Sequence, residues 1–247
     1  MNPKNFQWSR SSFLGIGVAA LAGLVPLTAR ANTATEPVPK ESPKWLQRHE
    51  EINADVSKGK VNLLWIGDSI VENWKDRGKP TWDQYYGPRG AANLGIGGDR
   101  TEHLLWRMDH GNLDGVSPKL AIVMMGQNNG GTNTAEEIAE GVTAIVTRLR
   151  SKLPETKILL LGIFFRGEHP NEEQKRLAQT NEIISKLADE KHVFYMNINS
   201  IFLLPDGSIP ASLMPDFEHP SPEGHKLWAE TIEPKVSALM GDTAVAP

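Results

Sequence analysis

Residues 61–78 read Val-Asn-Leu-Leu-Trp-Ile-Gly-Asp-Ser-Ile-Val-Glu-Asn-Trp-Lys-Asp-Arg-Gly. The first six are mostly apolar and stop at Gly67, the pattern of a strand buried on both faces. Ile70, Val71 and Trp74 then recur at helical spacing, and Gly78 ends the helix. Strand, sharp turn and helix together open a parallel α/β sheet. Ser69 stands at the turn, where its hydroxyl is exposed near a helix N-terminus that favours negative charge.

The alternation continues downstream. Apolar runs at 91–94, 120–125, 158–164 and 193–196 read as four more strands. Between them, 101–109 carries Leu104, Leu105 and Met108 on one face. Thr134 and Glu137 form a capping box that opens a helix to about 153, with Ile138, Val142, Ile145, Val146 and Leu149 recurring at three and four residues. A further helix spans about 172–187, and Ser221-Pro222 caps a last one bearing Leu227, Trp228, Ile232 and Val236. Five strands alternating with amphipathic helices predict a three-layer α/β/α sandwich on a flavodoxin-like parallel sheet. Ligands in such folds bind beyond the carboxyl ends of the strands. One domain, residues 44–240, accounts for the pattern, with a short tail at 241–247.

The start of the chain reads differently. Lys4 and Arg10 precede an apolar run from Phe13 to about Leu27, and Ala29-Arg30-Ala31 offers a small-x-small cleavage signal, so residues 1–31 read as a secretory signal peptide. Ser9-Arg10-Ser11-Ser12-Phe13-Leu14 resembles a twin-arginine signal lacking one arginine. The apolar run is short for a membrane span. Residues 32–43, rich in Thr, Glu and Pro, read as a linker. The expectation is an exported protein, periplasmic or secreted, with no stable membrane insertion once processed. Removing 1–31 would take away Lys4, Arg10 and Arg30 and no acid, leaving the chain more acidic than its formal −4. Such a charge without a basic run excludes phosphate-backbone recognition, and hence nucleic acid. There are no cysteines, which excludes disulfides, thiol catalysis and Cys-ligated zinc.

Ser69 is a weak nucleophile unless a base stands beside it. Asp216-Phe217-Glu218-His219 offers one: His219 can take the serine proton, and Asp216 can fix its tautomer and stabilise the imidazolium. An oxyanion needs donors, and three are available: the N–H of Ser69, the N–H of Gly98 and the side-chain amide of Asn128. Taken singly, each segment has a plainer explanation as a turn or a cap; the four in this order, at strand ends, do not. His225 has no such partner and reads as a surface or packing histidine. Trp74, Trp82, Tyr85 and Tyr86 could stack on a sugar, though ordinary packing is the better reading. No Gly-x-Ser-x-Gly elbow is present, since Val71 stands at the second glycine position. Gly95-Ile96-Gly97-Gly98 lacks the third glycine of a dinucleotide fingerprint, since Arg100 stands there. There is no His-Glu-x-x-His and no ligand-spaced histidine cluster, so neither a metal nor an organic cofactor is expected.

These blocks resemble those of the SGNH (GDSL-type) hydrolases: Ile66-Gly67-Asp68-Ser69, Asn93 to Asp99, Gly126-Gln127-Asn128-Asn129 and Asp216 to His219. The resemblance spans about 60–240. Within that family, Gly95 to Arg107, Gly126 to Asn129 and Leu161 to Pro170 look like the platelet-activating-factor acetylhydrolase catalytic-subunit-like esterases. The resemblance implies that Gly98 rather than Gly97, and Asn128 rather than Asn129, face the oxyanion, and it implies a homodimer. Asn129 departs from the commoner Gly-x-Asn-Asp block, as that subgroup does. The expected activity is hydrolysis of short-chain esters, acetyl above all. No long insertion remains to build a lid. The substrate would be an acetylated carbohydrate or a small extracellular ester. A phospholipid acetylhydrolase or lysophospholipase-like lipase is the alternative within the enzyme class, and a non-catalytic carbohydrate-binding protein on the same fold is the alternative outside it.

Overall fold

The computed structural model describes residues 31–246. The expected signal peptide therefore lies, but for Ala31, outside the described residues. Five parallel strands, β1 (Leu63–Gly67), β2 (Ala91–Asn93), β3 (Leu120–Met124), β4 (Lys157–Leu161) and β5 (Val193–Met196), form one sheet in the order β2-β1-β3-β4-β5. The chain winds one way from β1 to β2 and the other way from β3 onward. The carboxyl ends of β1 and β3 therefore flank the switch point where doubly wound sheets open a crevice. In register, Gly67 stands opposite Met124 and Trp65 opposite Asn93.

Alternation along β1 divides the core. Leu64 and Ile66 face a cluster shared with α1 (Pro43–Ser57), α4 (Thr101–Asp109), α5 (Ala135–Lys152) and α6 (Glu172–Ser185). Leu63 and Trp65 face a second cluster built with α2 (Ser69–Glu72), α3 (Lys79–Tyr85) and α7 (Pro222–Met240). The predicted three layers are thus present. In the second cluster the Trp65 ring lies 5.2 Å from Trp74, 4.9 Å from Tyr86 and 5.2 Å from Trp228. Trp74, Tyr85 and Tyr86 are buried there and Trp82 packs against them half-buried, which answers the sugar-stacking reading in favour of packing for the first three and largely so for Trp82. His225 packs in the same cluster, its ring 4.5 Å from that of Trp74, and burial pushes its pKa down to about 4.

Several boundaries differ from expectation. The helix after Ser69 lasts one turn, continues as a 3₁₀ turn (Asn73–Lys75) and is followed by α3, which the sequence reading missed. It also missed α1. Ser42 caps that helix and Pro43 begins it, and its buried stripe is Trp45, His49, Ile52 and Val56. Strand β4 ends at Leu161 rather than 164 because side chains take over the ladder: Ile163 N–H donates to Asn181 Oδ1 (2.7 Å) and Phe165 N–H to Asn199 Oδ1 (2.8 Å).

Residues 32–43, expected as a linker, pack on the domain. Ala34 is buried, Thr101 Oγ1 donates to the Ala34 carbonyl (2.7 Å), and Asn32 Nδ2 donates to the Glu137 carbonyl (3.1 Å). The tail after Gly241 is anchored too. Arg89 makes a bidentate pair with Glu233 (2.6 and 2.7 Å) and a second with Asp242 (2.9 and 3.0 Å). No helix among the described residues is long and apolar enough to cross a membrane.

Candidate active site

Asp68 ends the first β-α turn by capping α2: its Oδ1 accepts from Ile70 N–H at 3.0 Å. That turn lifts Ser69 out of the buried strand to a half-buried position. Across the switch point, 150 residues away in sequence, the His219 ring meets it. Ser69 Oγ and His219 Nε2 are 2.8 Å apart. His219 Nδ1 lies 3.1 Å from Asp216 Oδ2, and Asp216 Oδ1 accepts from the N–H of His219 (2.7 Å) and of Glu218 (3.2 Å). One carboxylate thus shapes the turn and orients the ring. Burial alone would raise the Asp216 pKa, but these hydrogen bonds outweigh it and hold it below the usual value. With Nδ1–H donating to Asp216, Nε2 is free to accept the serine proton.

The turn is strained and braced. Phe217 adopts φ +56°, left-handed for a bulky residue. Its carbonyl accepts from Gly167 N–H at 2.8 Å, and Arg166 pairs with Glu218 (3.4 Å) and Glu173 (2.7 Å). The β4 loop thereby holds the histidine loop. Arg77 stands 3.6 Å from Asp216 Oδ2.

The glycine block after β2 is held just as closely. Gly95 packs so tightly on α2 that a Cβ there would fall 2.2 Å from Glu72 N. Gly97 N–H donates to Glu72 Oε2 at 2.7 Å, so that donor is occupied. Gly98, with φ +70°, exposes an N–H that donates to nothing among the described residues. The two glycines therefore divide the work, Gly97 anchoring the loop and Gly98 presenting a donor.

The two asparagines divide it likewise. Asn129 is fully buried. Its Oδ1 accepts from Thr101 N–H at the start of α4 (3.0 Å), and its Nδ2 donates to Glu102 (3.0 Å). Asn128 is half-buried, its Nδ2 held 2.9 Å from the Asp99 carbonyl and 3.3 Å from Asp68 Oδ2. The structure thus brings Ser69, His219 and Asp216 into one hydrogen-bonded chain. Gly98 and Asn128 stand on the loops after β2 and β3, at the same carboxyl edge of the sheet.

Three supporting groups escaped the sequence reading. Asp68 is fully buried, and desolvation pushes its pKa up to about 7. Asp99 is wholly buried; its Oδ2 takes Arg107 Nε (2.8 Å) and Nη2 (2.8 Å), and its Oδ1 takes Trp45 Nε1 (2.6 Å). Lys40, in the supposed linker, donates to the Gly98 carbonyl at 2.6 Å. The one signal for the Asp99–Arg107 pair was two opposite charges at i and i+8, which is no helical neighbour spacing. Among the described residues no three His, Cys, Asp or Glu side chains gather as metal ligands would.

The arrangement of Ser69, His219 and Asp216 can carry out nucleophilic attack on an ester, and the chain's likeness to known proteins bears on its family and enzyme class. The GDSL-like Lipase/Acylhydrolase family matches residues 65–227. The rat platelet-activating factor acetylhydrolase IB subunit alpha2 is 33% identical over 201 residues, covering 81% of this chain and 86% of that protein. The human alpha1 subunit is 32% identical over 204 residues, covering 81% and 87%. Among solved structures, a GDSL-like lipase from Bacteroides thetaiotaomicron superposes with TM-score 0.65 at 17% identity, covering 78% of this chain and 97% of that one. An acetylxylan esterase from Geobacillus stearothermophilus does so with TM-score 0.58 at 18% identity, covering 76% and 97%. At such identities these two speak for the fold. The matched family and the two acetylhydrolase subunits go further: this chain belongs to the GDSL-like lipase and acylhydrolase family and is a carboxylic ester hydrolase.

Proposed function

We propose that this protein is an exported serine esterase that removes short acyl groups, acetyl above all, through an acyl-enzyme. The observation that carries the reading is the chain Ser69 Oγ–His219 Nε2 (2.8 Å) and His219 Nδ1–Asp216 Oδ2 (3.1 Å) beside the unpartnered Gly98 N–H. Ser69 attacks the ester carbonyl as His219 takes its proton. The oxyanion is held by the N–H of Ser69, the N–H of Gly98 and Asn128 Nδ2. The 3.3 Å contact of Asn128 with Asp68 is the weaker of its two, so that hydrogen turns to the oxyanion while the Asp99 carbonyl keeps the amide in place. His219 returns its proton to the leaving alcohol, then activates the water that frees the acid.

Acetyl is favoured by likeness to the acetylhydrolase subunits, and the longest connection at the site, residues 197–221 between β5 and α7, is the one that carries Asp216 and His219 themselves. An acetylated carbohydrate is suggested by the N-terminal stretch that reads as an export signal, since export would bring the enzyme to extracellular esters. The acetylhydrolase subunits support a second reading, a phospholipid-type acetyl ester, and with it a homodimer. The test is a p-nitrophenyl ester series run beside acetate release from acetylated xylo-oligosaccharide and from a 2-acetyl phospholipid. The proposal expects acetyl to exceed octanoyl by at least tenfold in kcat/KM, with acetate released from the oligosaccharide. Preference for octanoyl would refute the acyl assignment, and release from the phospholipid alone would move the substrate to the second reading.

A further inference from the structure

The stretch between residue 32 and the start of α1 is laid along the glycine block as a strap, and it is built in place. The Ala34 carbonyl is tied to Thr101 (2.7 Å), Val38 N–H to the Glu102 carbonyl (3.3 Å), and Ser42 N–H to the Lys40 carbonyl (2.9 Å). Beyond it, α1 adds Trp45 on Asp99 (2.6 Å) and Arg48 on the Asn93 carbonyl (2.8 Å). Near the end of the strap, three residues before α1, Lys40 points its ammonium at Gly98. Nζ lies 2.6 Å from the Gly98 carbonyl and 3.4 Å from the Gly97 carbonyl, and a Cβ on Gly98 would meet it at 3.0 Å.

The Gly97 carbonyl and the Gly98 N–H belong to one peptide group, which is trans. In a trans peptide the C=O and N–H point in opposite directions. The Lys40 ammonium is seated mainly on the Gly98 carbonyl (2.6 Å) and reaches the Gly97 carbonyl at 3.4 Å, on the side of that peptide opposite the Gly98 N–H. From there it does two things. It clamps both carbonyls that flank Gly98, fixing a left-handed glycine that would otherwise be free to turn. Through the longer, 3.4 Å contact with the Gly97 carbonyl it also polarises that peptide, so that the N–H carries more positive charge towards the oxyanion, as hydrogen-bonded chains do.

We propose that Lys40 is a positioning residue of the oxyanion hole, holding and polarising the Gly97–Gly98 peptide from behind. The proposal rests on the serine-esterase reading above and assigns a catalytic contribution to a segment outside residues 65–227, where the family matches.

Its signature is a loss in kcat rather than KM, because the polarised donor matters where charge develops. The contrast is sharp, since Lys40 also borders a cavity lined by Trp45, Glu72, Ile96 and Gly97, and a cation that bound substrate there would act on KM. The experiment measures p-nitrophenyl acetate kinetics and Tm for the wild type, S69A, K40M and K40R. Expected are a kcat about tenfold lower in K40M with KM within about twofold, return to within about twofold of wild type in K40R, and Tm within about 2 °C throughout. K40M at wild-type kcat, a loss confined to KM, or K40R as slow as K40M would each overturn it. Undiminished activity in S69A would instead overturn the serine-esterase reading, so the two failures are separable.

Discussion

Replacing Arg107 with methionine removes the cation from a carboxylate that has no access to water. Asp99 and Arg107 are each wholly buried. The carboxylate accepts two side-chain hydrogen bonds, from Arg107 Nε at 2.8 Å and from Trp45 Nε1 at 2.6 Å, and Arg107 Nη2 stands 2.8 Å from it as an ion-pair contact. Methionine keeps much of the apolar stem, so little packing is lost. The charge is what goes. Breaking a buried pair from one side costs about 3–5 kcal/mol, out of the 5–15 kcal/mol typical of a whole domain. For a domain of this size that lowers Tm by roughly 6–20 °C. The loss should depend on pH in a definite direction. Desolvation already raises the Asp99 pKa, with Arg107 opposing it. Without Arg107 the folded pKa climbs further above its unfolded value. The stability of R107M is then greatest at acid pH, where Asp99 can hold a proton, and is lost as pH rises. Urea unfolding at pH 5 and pH 8 measures both effects. A deficit below about 1 kcal/mol, or one that fails to grow between pH 5 and pH 8, would refute the reasoning, as would R107M/D99N no more stable than R107M alone.

Other perturbations separate scaffold from chemistry. Arg89→Ala strands Glu233, which is 3% exposed, and should cost about 3–5 kcal/mol in urea unfolding while kcat at 25 °C stays unchanged, the pair lying in the packing between α3 and the chain's end. Asp68 titrates at about 7 in the fold against 3.8 as its ordinary value. Its contribution to stability is therefore fully present below about pH 4 and lost as pH rises through 7, so Asp68→Asn should gain on wild type by up to ~4 kcal/mol between pH 4 and pH 8 in matched denaturation curves. Asn128→Ala should lower kcat by about 10²–10³ with KM little changed, and steady-state kinetics that show full activity would remove Asn128 from the oxyanion hole.

What could be read from the chain beforehand follows from what local sequence encodes. The apolar run 61–66 and those at 91–94, 120–125, 158–164 and 193–196 are short-range signals, and they recover the five strands, whereas the strand order and hence the switch point come from the tertiary structure. Ser69 and His219 were legible as a pair because in a doubly wound sheet every strand delivers its following loop to one edge. Helix α1 was missed because its buried stripe includes His49 and is otherwise surrounded by Glu, Gln, Arg and Lys, so its periodicity is diluted. The strap around Lys40 has a linker's composition, yet it is held largely through backbone groups, the Ala34, Glu102, Gly97 and Gly98 carbonyls and the Val38 N–H, which leave no trace in side-chain pattern. That Gly97 N–H and Asn129 Oδ1 are occupied while Gly98 N–H is not depends on partners at Glu72 and Thr101, more than 20 residues away. Charged residues such as Asp99 and Arg107 count as solvated surface in any composition argument; only the tertiary structure shows them paired and dry.

The most direct measurement is p-nitrophenyl acetate turnover by the purified protein beside its Ser69→Ala variant, with both shown to be folded by circular dichroism and Tm. Ser69 Oγ is the sole nucleophile in this account, so the variant should lose at least 10³-fold in kcat, leaving the residual rate that oxyanion donors and binding alone sustain. Equal turnover by the two proteins would contradict the account at its centre.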